Sequence, residues 1–152
     1  MDDVTNSSNC RRIRGIGVLL VLLLSACLES AARSEAIVVV ARHDTALKEL
    51  SRDIVADIFL GRMHSLTAEV PLIPLDSADA ALREGFYKSV ANMTQTRVKA
   101  YWSRLVFSGR GRPPPEVEPD AVDERLKEDV GTLTYLRAQQ VTPSMKVLLE
   151  LP

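Results

Sequence analysis

Cysteine is nearly absent from this chain: Cys10 and Cys27 are the only two in 152 residues, and both lie near the N-terminus. A domain that begins after Cys27 has no disulfide, no thiol nucleophile and no thiolate metal site. Histidine is as scarce. His43 and His64 have no companion at metal-ligand spacing, and no H-E-x-x-H occurs, so no metal site is expected. No G-x-S-x-G elbow is present, and Gly109-Arg110-Gly111 runs into prolines, not into a phosphate-loop helix. Nothing marks a catalytic residue or a cofactor, and we expect a protein that is not an enzyme. Charge of one sign is also lacking, with a formal net charge of -1. Nucleic-acid binding, which needs a basic excess facing phosphates, is not expected. Aromatics make up only 5%, yet 46% of the residues are hydrophobic, enough aliphatic material for one core and too short a chain for two.

The one long apolar run is at the start. Arg11, Arg12 and Arg14 precede an aliphatic block from Val18 to Leu24, and small residues follow through Ala32. Positive, apolar and small is the order of a secretory signal, and the apolar part falls short of the roughly 20 residues that span a bilayer. We therefore expect a signal peptide over 1–32 and an exported domain over 36–152, in the periplasm or cell envelope. Leu24-Ser25-Ala26-Cys27 resembles a bacterial lipobox, in which Cys27 would carry the lipid and form the only membrane attachment. Ordinary cleavage after Ala32 or Ala36 is the alternative. A start at Cys27 removes three arginines and two aspartates, which moves the net charge from -1 to -2.

Beyond the leader, Ala36 to Ala41 is a β-branched run suited to a strand buried on both faces. Ser51 fits a helix N-cap, with Leu50 placed to staple onto Val55, and Gly61 stops that helix. Val70 to Leu75 reads as a strand that Pro71 and Pro74 confine to an edge. Asp76-Ser77 is expected to open a helix with Leu82, Phe86 and Val90 inward. Thr94 caps another, in which Val98, Tyr101, Trp102, Leu105 and Val106 share a face; Tyr101, Trp102 and Phe107 are read as core, with a ligand platform as the alternative. Residues 109–115 form a loop, Asp120 opens a last helix with Val122, Leu126 and Val130 inward, and Gly131 closes it. Two short strands follow, over Thr132–Leu136 and Lys146–Leu149. Alternating strands and helices give an α/β fold.

Several segments resemble one family. Ile58-Phe59-Leu60-Gly61-Arg62 is similar to the "IFLG(K/R)" element of phosphate-transport substrate-binding proteins, and Arg83-Glu84-Gly85-Phe86-Tyr87 to the helix that follows it. Tyr101-Trp102, Phe107 to Gly111 and Pro113-Pro114 resemble its "YW…F.G…PP" stretch, and Val130-Gly131 with Tyr135 its late "V…G.IGY" strand. The resemblance implies a single lobe of a type II periplasmic-binding-protein-like fold, a small mixed sheet flanked by about four helices. It also implies an ABC-transport setting and a small oxyanion ligand such as phosphate. Where full-length phosphate binders have an arginine before a Ser-Gly-Thr helix start, this chain has Asp76-Ser77-Ala78-Asp79, with Arg83 after it. Ser77 and Arg83 are the candidate anion contacts, because a helix start offers unpaired N–H groups and a positive dipole end. Ser77 serves equally as a plain cap and Arg83 as a solvated side chain. Arg110 and Arg112 form a second basic feature, facing an anion or a partner such as a membrane transporter, sensor or receptor protein. An envelope interaction module that kept the fold and lost the ligand is the second reading.

Overall fold

The computed structural model describes residues 36–66 and 71–152. The expected signal peptide, over 1–32, and Cys27 lie outside the described residues. Strand β1 (Ile37–Arg42) is followed by helix α1 (Arg52–Phe59), short strands β2 (Ile73–Pro74) and β3 (Asp76–Ser77), then helices α2 (Ala80–Ala91) and α3 (Gln95–Phe107). Strand β4 (Glu116–Val117), helix α4 (Val122–Glu128), strand β5 (Thr132–Arg137) and strand β6 (Met145–Leu151) complete it. The main sheet has the order β2-β5-β1-β6. β1 runs antiparallel to both neighbours, and β2 runs parallel to β5, so the sheet is mixed. β3 and β4 pair in parallel as a separate two-stranded ribbon.

Period-2 alternation in β1 explains its unbroken apolar run. Ile37, Val39 and Ala41 face one core, with residues of α1, α2 and α3; Val38 and Val40 face another, with Leu75, Val117 and the α4 residues Val122 and Leu126. A strand covered on both faces cannot alternate with polar residues. The scarce aromatics are concentrated on the first side. Phe86 and Tyr135 stack with ring centres 3.7 Å apart, and Phe59 packs edge-on to Phe86 at 4.8 Å.

The local signals for α1 and α3 hold. Ser51 accepts from the Ile54 N–H and Thr94 from the Arg97 N–H, both at 3.4 Å. Gly61 turns the chain out of α1 with φ +64°, a conformation that costs other residues about 1–2 kcal/mol. As the prolines of 70–75 imply, β2 is short and sits at the edge.

Three expectations are corrected. Asp76-Ser77 does not open α2. It is extended, because Asp76 N–H donates to Pro115 O and Ala78 N–H to Val117 O, so a partner about 40 residues away claims it for a strand. The cap is Asp79, whose Oδ1 accepts from Ala81 and Leu82 N–H at 2.9 and 3.1 Å. Val106 is 51% exposed, not on a packed face, and Phe107 is 92% exposed. Five positions beyond buried Trp102, it is rotated by about 140° around the helix, off the packed face. Helix α4 ends at Glu128, so Val130 is exposed and Gly131 is not its closing residue; Asp129 has already gone extended at φ -135°.

Candidate anion site

The ribbon of β3 and β4 carries Asp76, which is 6% exposed. Its carboxylate is ringed by donors drawn from distant elements. The Tyr135 hydroxyl of β5 donates to Oδ1, the Tyr87 hydroxyl of α2 donates to Oδ2 at 3.2 Å, and the Ser77 N–H donates to Oδ1 at 3.0 Å. Burial raises the Asp76 pKa, opposed by the Tyr135 hydrogen bond, the charge of Arg83, the Ser77 N–H and Tyr87. Burial, and then the neighbouring carboxylate, push both tyrosine hydroxyls well above their usual range. Both phenols therefore remain protonated donors at neutral pH.

Arg83, from the first turn of α2, ion-pairs with Glu116 of β4. Burial opposes its charge, yet Glu116 and Asp76 hold its pKa up. Its Nε atom is buried with no hydrogen-bond partner. The other would-be anion donors are the first N–H groups of α2, and Asp79 occupies them. Those N–H bonds, that of Leu82 first, hold the Asp79 pKa below the usual carboxylate range with help from Arg137, which bonds its Oδ2 at 3.1 Å. A carboxylate at a helix N-terminus satisfies the free donors and the dipole much as a bound anion does.

An open groove of about 660 Å³ lies between α3 and the loop of residues 109–115. Arg83, Lys99, Trp102, Phe107 and the Pro113–Pro115 segment line it, with Asp76 and Glu116 at its border. The Trp102 indole N–H is buried with no hydrogen-bond partner.

The sequence-predicted residues are not brought into one place. Ser77 lines a separate cavity of about 200 Å³ with Leu82, Val117 and Asp123, and its Oγ accepts from the Asp79 N–H at 3.1 Å. Arg83 is on the groove. Arg110 and Arg112 line a third opening of about 380 Å³ with Val106, and both are exposed. Tyr135, Tyr87 and Glu116 were not predicted as site residues. The one local signal for Tyr135 is a hydroxyl at an alternating position within a buried strand, which requires an internal partner. Among the described residues, no cluster of His, Cys, Asp or Glu is arranged to hold a metal ion, and no helix is long and apolar enough to cross a membrane.

No family model and no curated protein matches the sequence. The fold does match solved structures. One, assigned as a phosphate ABC transporter substrate-binding protein with bound phosphate from Clostridium perfringens, superposes with a TM-score of 0.58 at 12% identity, covering 74% of this chain and 44% of its own. An ABC-type phosphate transport receptor from Vibrio cholerae gives 0.50 at 11% identity, with 74% and 45% covered. The chain thus spans less than half the length of these neighbours. At such identity the likeness is one of fold, and the protein has the α/β, single-lobe fold of a periplasmic binding protein.

Proposed function

We propose that this is an exported, non-catalytic binding domain of the phosphate-transport substrate-binding type that has closed its oxyanion site and acts by contacting another protein of the cell envelope. One observation carries the reading: carboxylates of the chain itself sit where an anion's contacts would be, Glu116 on Arg83 and Asp79 on the first N–H groups of α2. A phosphate entering the groove meets Asp76 and Glu116 and would have to displace the Arg83–Glu116 pair. The proposal places the protein in the periplasm or envelope, held at a membrane by lipid on Cys27 if the lipobox is used. Mass spectrometry of the protein from a membrane fraction reads that start directly. Isothermal titration of the purified protein with phosphate and sulfate tests the main claim. Absence of heat at millimolar anion is expected; saturable binding would overturn it.

The second reading, a small-oxyanion binder, is favoured by the partnerless Arg83 Nε and by the phosphate held in a neighbour of the same fold. Under that reading Arg83→Ala abolishes the binding seen by titration, and an unchanged affinity removes Arg83 from the site.

A further inference from the structure

Charge is segregated along the middle of the chain. From Gly85 to Pro115 there are six cations and no carboxylate: Lys88, Arg97, Lys99, Arg104, Arg110 and Arg112. All six are exposed, and none is ion-paired among the described residues. Phe107, 92% exposed, and Val106, 51% exposed, lie among them at the end of α3. The sign then reverses. Residues 116–129 hold seven carboxylates against Arg125 and Lys127. Of these, Glu118, Asp120, Glu124 and Asp129 are exposed without an ion pair among the described residues, and Val130 beside them is 43% exposed. Lys99 of the first block and Glu116 of the second line the groove with Phe107, Glu116 being paired there with Arg83.

We propose that this surface binds a second copy of the same chain, the cationic face around Phe107 of each copy meeting the acidic face around α4 of the other. The idea rests on the reading of the protein as a protein-contact domain and names the partner. Charge complementarity selects the occupant. Like faces repel and unlike faces attract, so a two-fold arrangement satisfies both blocks twice. Charges set approach and register, while burial of Phe107 supplies the apolar contact at the centre. An anionic membrane would suit the cations alone and would leave the exposed carboxylates of residues 116–129 without a partner.

Sedimentation equilibrium of the purified protein from micromolar to millimolar concentration, at low salt and at about 1 M salt, tests this. We expect a dimer at low salt, weakened about tenfold or more where the screening length falls to about 3 Å. Phe107→Ser, at a position that is 92% exposed, weakens the dimer at least about tenfold. Arg104→Glu with Arg110→Glu and Arg112→Glu gives a monomer, and so does Glu118→Lys with Asp120→Lys and Glu124→Lys. Mixed, those two variants form a one-to-one dimer, because each supplies the sign that the other has reversed. A wild-type monomer at every concentration overturns the proposal, as does a dimer indifferent to these changes or a mixture that does not pair. If the wild type is monomeric and sediments with phosphatidylglycerol vesicles but not with phosphatidylcholine vesicles, the surface belongs to lipid and the proposal falls. Failure here is separate from failure of the closed-site reading, which heat on phosphate titration overturns whatever the oligomeric state.

Discussion

The Tyr135 hydroxyl donates to the Asp76 carboxylate across 59 positions of sequence, joining the main sheet to the β3–β4 ribbon. Tyr135 is also the ring on which Phe86 stacks, so one side chain joins the aromatic core to the buried acid. Tyr135→Phe keeps the stack and removes the donor. A buried charged acceptor deprived of one bond should cost about 1–3 kcal/mol of stability in urea unfolding, whereas a loss below about 0.5 kcal/mol would show the bond to be unimportant.

The two aspartates should pull stability in opposite directions with pH. Burial raises the Asp76 pKa against the opposing hydrogen bonds, so the folded protein keeps that proton to higher pH than the unfolded chain does. Its contribution is full below about pH 3.9, the unfolded value, and fades as pH rises through the folded value. Asp79, its pKa lowered by the N–H groups of α2, contributes above about pH 3.9 and loses that contribution as pH falls through its lower folded value. Unfolding curves between about pH 2 and pH 7 for the wild type, Asp76→Asn and Asp79→Asn should show it. The wild type loses ground to Asp76→Asn as pH rises and gains it over Asp79→Asn. Slopes of the same sign would contradict the assignment.

Glu116→Gln should open the anion site. It removes the carboxylate paired with Arg83 and leaves the exposed β4 position otherwise unchanged. A charge-assisted bond of about 1.5–3 kcal/mol then becomes available to an incoming oxyanion. Titration with phosphate should show affinity raised about tenfold or more over the wild type, and the gain should vanish when Arg83→Ala is added. No gain in Glu116→Gln would mean that this pair is not what closes the site.

Gly61 and Gly109 separate backbone strain from packing. Both have positive φ, +64° and +69°. A Cβ at Gly61 would come within 3.0 Å of the Trp102 ring, whereas one at Gly109 would meet nothing within 4 Å. Gly109→Ala should cost about 1–2 kcal/mol from the backbone alone. Gly61→Ala should cost more, with a larger fall in Tm, and equal losses would argue against close packing on Trp102.

Much of the architecture is legible in the chain because its signals are local. The apolar run over 36–41, the caps Ser51 and Thr94, and the prolines of 70–75 each act within one element or turn. The failures share a cause. Asp76-Ser77 has a serviceable helix-start composition, but the extended form wins once Pro115 and Val117 offer hydrogen bonds. Val106 follows the periodicity of α3, four positions beyond Trp102, yet is exposed because nothing packs beneath it there, whereas Phe107 lies off that face altogether.

By itself the sequence determined the apolar runs that become β1, β5 and β6, the capped starts of α1 and α3, and the α/β class of the fold. Tertiary structure alone decided the state of the candidate site. Ser77 and Arg83 are six residues apart yet open into different cavities, and Arg83 meets Glu116 across 33 positions. Periodicity and capping report on neighbours within a turn or two, whereas the pairing of a buried charge depends on which distant strand the fold lays beside it.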